Sequence, residues 1–189
     1  AIPGASAQRS AWLVRDSLTA DGARALRDLG VQLLVMPFDR YETLEGSRPG
    51  LTDTTLLMAA AIDDDETMPM MVIDPMMDLV DAGRDRALRP IDAAVRVMAE
   101  IGAIRTQLEP QRRGLVVATP DLTIPDVEVM AQIERFAAEH PDVEFQPLGA
   151  LPGLTNGFFV DGRVLTVELP NDVPVDLARD RLAPDEEEV

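Results

Sequence analysis

The sequence predicts an α/β fold with a mainly parallel sheet and a C-terminal β-hairpin. Three short runs are apolar at nearly every position and stop at proline and aspartate; they span residues 33–39, 70–75 and 115–121. Continuous apolar runs are typical of strands buried on both faces, as in a parallel sheet covered by helices. Helical sequence follows these runs, and residues 157–169 place an Asp-Gly pair between two apolar segments, which predicts a hairpin.

The order of the elements follows from the same patterns. Strands are predicted at residues 11–14, 31–38, 70–74, 115–119 and 143–147, and helices at residues 20–29, 90–108 and 125–140. Thr19 is expected to cap the first helix and Gly30 to end it, because hydroxyls favour N-caps and glycine favours the left-handed C′ position. Residues 55–62 fit either a short strand or a helical turn.

Helical spacing predicts which side chains face the core. Leu26 and Leu29 are expected to point inward from the first helix. The expected inward residues of the two later helices are Ile91, Ala94, Val95, Met98, Ile101 and Leu108, then Val129, Ile133, Phe136 and Ala137. Residues 63–66 form an acidic stretch that is predicted to be a solvated turn rather than a calcium site, since the EF-hand spacing is missing.

The chain divides into four predicted regions. They are a frayed N-terminus at 1–10, an α/β domain at 11–153, the β-hairpin at 154–170 and an acidic, proline-containing tail at 171–189. The chain begins at Ala1 rather than Met, so we expect it to be part of a longer or processed protein. No run approaches the length of a membrane helix, so no membrane insertion is expected from these residues.

Composition excludes several function classes. The net charge of −17 disfavours nucleic acids and anionic membranes as partners. All 17 basic residues are arginine, which fits a GC-rich coding bias or, alternatively, adaptation to salt. The absence of lysine removes Schiff-base chemistry, and the absence of cysteine removes thiolate catalysis and cysteine-based zinc sites. With His140 as the single histidine, no site that needs two imidazoles can form, so no metal and no cofactor are expected.

Carboxylates follow several predicted strands. Asp16, Asp39, Asp74 and Asp121 would gather at the carboxyl edge of one parallel sheet, where α/β folds bind ligands. Two carboxylates about 5–10 Å apart would suit glycoside hydrolysis. Ordinary turn and capping chemistry is the simpler explanation of the same residues. Asp39, Asp74 and Asp121 are therefore the candidate catalytic residues.

Other polar residues have less specific interpretations. Asp16, with Arg40 and Tyr41, is a candidate for ligand binding. Arg15, Arg112 and Arg113 could hold an anionic group, but pairing with the abundant acids is the simpler expectation. His140 ends a predicted helix, where the dipole would stabilise an imidazolium at the surface.

Several segments together resemble a known family. These are Ala11-Trp12 before a capped helix, Ala25–Val31 leading into a strand, a Tyr41-containing loop, Val72–Pro75, a helix through Met98–Ile101, and Arg113–Pro120. They resemble exported actinobacterial proteins of unknown function that accompany the peptidoglycan lipid flippase. The resemblance covers roughly residues 10–153. It implies an extracytoplasmic location, with membrane anchoring through other parts of a longer protein.

The resemblance also implies a partial (β/α) barrel, distantly similar to polysaccharide deacetylases and some glycosidases. Those deacetylases hold a metal with one aspartate and two histidines, which His140 alone cannot supply. Two hypotheses follow. The first is a non-catalytic binding or scaffolding module in cell-envelope biogenesis, with a cell-wall glycan or an envelope protein as its partner. The second is a glycosidase-like hydrolase that uses Asp74 with Asp39 or Asp121.

Overall fold

A five-stranded sheet organises the chain. The computed structural model describes residues 10–15, 17–48, 53–74, 90–106, 111–117 and 127–172. The strands are β1 (Ala11–Leu13), β2 (Leu33–Met36), β3 (Met58–Ala61), β4 (Thr67–Val72), β5 (Phe159–Val160), β6 (Arg163–Val164) and β7 (Thr166–Glu168). The helices are α1 (Ala20–Asp28), α2 (Phe38–Tyr41), α3 (Pro90–Arg105), α4 (Val127–Glu139) and α5 (Leu151–Leu154), with a 3₁₀ turn at Leu148–Ala150.

The main sheet is mostly parallel and has the order β1-β2-β4-β3-β7. β1, β2 and β4 run in one direction, β3 is antiparallel to β4, and β7 is parallel to β3. β1 is an edge strand, and its Trp12 side chain is 49% exposed. Residues 55–62 were predicted to form either a short strand or a helical turn, and residues 58–61 form the strand β3. The acidic stretch at 63–66 is the exposed turn between β3 and β4, as predicted.

The central strands are apolar at each position because both faces of the sheet are covered. Leu34 and Met36 of β2 pack on the side that carries α1 and α2. Leu33 and Val35 pack on the opposite side, against Val116 and α5. The prediction of doubly buried strands is confirmed for β2 and for most of β4.

Local signals set the ends of α1. The Thr19 hydroxyl accepts a hydrogen bond from the Gly22 amide at 3.0 Å, which caps the helix as predicted. Gly30 has a φ of 93°, and the Val31 amide donates to the Leu26 carbonyl at 3.0 Å, as in a Schellman motif. The expectation for Leu29 is wrong: its side chain is exposed because it follows the last helical residue on the outer side.

The β5–β6 hairpin forms as predicted. Its turn residues, Asp161 and Gly162, have φ angles of 51° and 77°, and positive values at both positions define the type I′ turn. The chain continues directly into β7, which joins the main sheet beside β3.

Two predicted strands do not form in the described residues. Residues 143–147 are irregular and Phe145 is 60% exposed, so no sheet position stabilises them. Residues 115–117 of the predicted strand 115–119 are also outside any strand, and 118–119 lie outside the described residues. Val116 is nevertheless buried, because it packs on one face of the sheet instead of pairing within it.

The helices α3 and α4 pack against each other around a small apolar cluster. The cluster contains Ala93, Ala94, Val97, Val129 and Ile133, with Met98, Ile101 and Leu115 at its margin. Val95, expected to face inward, is 51% exposed, and Ile91 is also exposed. Ala94, Met98 and Ile101 lie in or beside the cluster as predicted, but the buried stripe also contains Ala93 and Val97, and this leaves Val95 on the outer face of α3. Leu108 lies outside the described residues.

Candidate functional site

The carboxyl ends of β2 and β4 form the edge at which the candidate residues were expected. The strands are adjacent and parallel, with Met36 level with Val72. The Ile73 amide donates to the Met36 carbonyl at 2.8 Å, which continues the pairing past the strand ends. Asp39 and Asp74 therefore both follow strands that end on the same edge. Asp16 and Asp121 lie outside the described residues.

Asp74 is built into the protein at this edge. Its side chain belongs to a residue only 8% exposed, and the Thr54 hydroxyl donates to its Oδ2 at 2.9 Å. A buried carboxylate needs hydrogen-bond donors to replace lost hydration. Thr54 is itself buried and immediately precedes the region that leads into β3. The hydrogen bond thus joins the end of β4 to the approach to β3.

The short helix α2 contains three consecutive candidate residues, which differ in their exposure to solvent. Asp39 and Arg40 are exposed to solvent, whereas Tyr41 is completely buried in the core on the α1 side of the sheet. The Tyr41 hydroxyl accepts a hydrogen bond from the Arg48 amide at 2.8 Å. The Tyr41 ring therefore anchors the loop after α2, and Asp39 and Arg40 are the members of this group that solvent reaches.

A second polar cluster lies beside Thr54, and of its members the sequence pointed only to Arg113, as an expected partner of an acid. Asp53 accepts hydrogen bonds from the Thr55 hydroxyl at 2.5 Å and from the Thr55 amide at 3.1 Å. Arg113 forms an ion pair with Asp53 and donates to the Thr55 hydroxyl at 2.8 Å. The Arg113 side chain is 11% exposed and that of Asp53 is 23% exposed, so water reaches the pair only in part.

Electrostatics keep Asp53 ionised. Burial alone would raise the pKa of Asp53, but hydrogen bonds from Thr55 and Arg113, together with the charge of Arg113, outweigh it. The pKa of Asp53 consequently lies below its ordinary value of 3.8. A carboxylate that is ionised and paired with a guanidinium is unsuited to donate a proton as a general acid at neutral pH. The expected pairing of Arg113 with an acid is confirmed.

His140 follows the end of α4. Its ring stacks on Phe136 with 4.1 Å between ring centroids, and its Nδ1 donates to the Phe136 carbonyl at 2.7 Å. The imidazole therefore packs on the last turn of α4 and supplies a donor to a carbonyl there. Across the described ranges, no group of three or more His, Cys, Asp or Glu side chains could hold a metal ion.

Comparisons with known proteins identify no relative. No family model, no curated protein and no solved structure matches the chain. None of the helices within the described ranges has both the length and the apolar character needed to cross a membrane.

Proposed function

We propose that this chain is a non-catalytic binding or scaffolding module that acts outside the cytoplasm in cell-envelope biogenesis. The sequence resemblance to exported envelope proteins supports the location, and with it the anchoring through other parts of a longer protein and a partial (β/α) barrel architecture. The partner would be a cell-wall glycan or an envelope protein. The net charge of −17 supports partners other than nucleic acid.

The state of Asp74 carries the non-catalytic proposal. A glycosidase needs two carboxyl groups that face the same substrate, one to donate a proton and the other to act as nucleophile or base. Asp74 is buried with Thr54 as a donor, whereas Asp39 is exposed on α2. Burial and hydrogen bonding suit a carboxylate that stabilises the edge of the sheet.

A binding surface at the same edge would use the exposed part of α2. Asp39 and Arg40 expose a carboxylate and a guanidinium to solvent at consecutive positions of α2. Both groups form directional hydrogen bonds with sugar hydroxyls, and the guanidinium also pairs with carboxylates of a glycan or a peptide. Because Tyr41 is fixed in the core, α2 is held firmly beneath these two side chains.

The alternative is a glycosidase-like hydrolase that uses Asp74 with Asp39 or Asp121. One observation favours it: the parallel pairing of β2 and β4 brings Asp39 and Asp74 to one edge of the sheet. A binding module leaves the glycan intact and a hydrolase shortens it, so a single experiment distinguishes the two functions.

The test uses soluble peptidoglycan oligosaccharides with the purified chain. Calorimetric titration should detect binding that falls at least about fivefold in the D39A/R40A double variant, since that variant removes the exposed polar pair. Chromatography of the same mixtures should detect no shortened oligosaccharide. Asp74→Asn is the matched variant for catalysis. Glycan cleavage that disappears in Asp74→Asn would establish the hydrolase instead. Unchanged binding in D39A/R40A would show that α2 is not part of the binding surface.

A further inference from the structure

The α3–α4 pair has an apolar core of its own. Among the described residues, its buried side chains form a cluster separate from the two clusters that cover the faces of the sheet. Proteins open locally in units that coincide with such clusters, because few apolar contacts are lost when the unit separates. The described residues that connect this pair to the sheet therefore contribute to how firmly it is held.

Residues 111–117 form that connection, and we call this segment the strap. Leu115 packs at the margin of the α3–α4 cluster, and the next residue, Val116, is buried on the sheet. The Gly114 amide donates to the Thr55 carbonyl at 2.9 Å, and the Asn156 amide donates to the Arg112 carbonyl at 2.8 Å. The strap thus contacts the helices on one side and the sheet on the other.

The adjacent residues Thr54 and Thr55 form hydrogen bonds with the two ends of the chain segment that contains α3. Thr54 binds Asp74, where the chain leaves β4 toward α3. Thr55, with Asp53, binds Arg113, where the chain returns after α3. The chain segment 74–113 is consequently closed at its base by side chains of three consecutive residues. Among these contacts the Asp53–Arg113 pair is the one between two charged groups.

We propose that the Asp53–Arg113 pair is a latch that holds the α3–α4 pair on the sheet, and that the two helices open together as one unit when the latch is released. The geometry explains why both helices would respond. The strap follows α3, contributes Leu115 to the shared cluster and leads toward α4. Opening would move the strap with them and uncover the face of the sheet on which Val116 packs.

Hydrogen–deuterium exchange tests the latch in the full chain. Arg113→Met keeps an unbranched apolar stem and removes the charge, and Asp53→Asn keeps the shape of its partner. In both variants, amide exchange in α3 and α4 should accelerate by about tenfold or more, by a common factor, since losing one partner leaves a largely buried charge uncompensated. In each variant α3 and α4 should still exchange faster than β2 and β4 and with a weaker dependence on urea, because the two helices open without the sheet.

Arg105→Met is the matched control. Arg105, the last residue of α3, pairs at 2.6 Å with Asp142 beyond the end of α4, and this pair is more exposed than the latch. Its loss should change the exchange of α3 and α4 by less than about twofold, as for most surface pairs. Equal exchange free energies and an equal urea dependence for α3, α4, β2 and β4 would overturn the proposal, because the helices would then open only when the whole fold unfolds. Unequal factors for α3 and α4, or no acceleration in either latch variant, would also overturn it.

Discussion

Thr54 donates its hydroxyl to the carboxylate of Asp74 at 2.9 Å, across twenty residues of sequence and in a buried setting. The contact binds the end of the parallel strand β4 to the residue that leads toward the antiparallel strand β3. It also explains how a carboxylate is kept at the edge of an apolar sheet, since a buried acceptor without donors is costly.

Thr54→Val should lower the free energy of unfolding by about 1–3 kcal/mol, because it keeps the shape of the side chain and removes a donor from a buried carboxylate. Urea titration measures the change. Thr43→Val is the control, since the Thr43 hydroxyl also donates, to the Arg40 carbonyl at 2.7 Å, but in an exposed position. Its effect should stay within about 0.5 kcal/mol. Equal losses in the two variants would contradict the structural role of Asp74.

Tyr41 should be far more sensitive to truncation than its neighbour Arg40. Tyr41→Ala should cost about 3–5 kcal/mol, as for a large aromatic side chain removed from a core. Tyr41→Phe should cost about 1 kcal/mol, because the Arg48 amide loses its acceptor. Arg40→Ala, on the exposed side of α2, should change stability by less than about 0.5 kcal/mol. Chemical denaturation of the three variants decides this, and a mild effect of Tyr41→Ala would refute the anchoring role.

The Asp53–Arg113 pair should make stability depend on acid. The pKa of Asp53 is lowered in the folded protein, so its contribution is complete above the ordinary value of 3.8 and is lost as pH falls through the lower folded value. Asp53→Asn should therefore be less stable than the unmodified chain at neutral pH, with a difference that shrinks below pH 3.8. Urea titrations across this range measure it. A difference that stays constant with pH would show that charge is not the cause; Asp64→Asn, in the exposed turn, is the control.

The hairpin turn provides a test of backbone conformation alone. An added Cβ at Gly162 or at Gly153 would meet no heavy atom within 4 Å, but only Gly162 of these two has a positive φ, 77°. Gly162→Ala should cost about 1–2 kcal/mol through left-handed strain. Gly153→Ala, in α5, should be neutral or slightly stabilising, since alanine is the better helix former. Thermal unfolding of the two variants distinguishes them, and equal midpoints would exclude strain at the turn.

The sequence could predict those features that depend on neighbouring residues or on burial from both sides. Thr19 and Gly30 delimit α1 through local hydrogen bonds, and Asp161-Gly162 determines the hairpin through allowed φ values. β2 was recognisable because a strand between two covered faces must be apolar throughout.

The failure of the predicted strand at residues 115–117 has a physical cause. An apolar run only requires burial, and Val116 obtains burial by lying on the sheet instead of pairing within it. The same limit applies to the site. Asp74 could be placed at the edge from its strand, but Thr54 as its donor could not be. Asp53 and Arg113 are sixty residues apart, so their pairing depends on a tertiary arrangement that no local pattern encodes.

Trp12 and Tyr41 are the single tryptophan and the single tyrosine of the chain. Trp12 lies half-exposed on the edge strand β1, and Tyr41 is enclosed in the core beneath α2. The protein thus carries two natural optical reporters, one for each environment. Indole emission records solvent access at the sheet edge, whereas energy transfer from the phenol to the indole records whether the core and that edge remain together. A partner that pairs with β1 would therefore shift the emission wavelength of Trp12 and leave the energy transfer from Tyr41 unchanged.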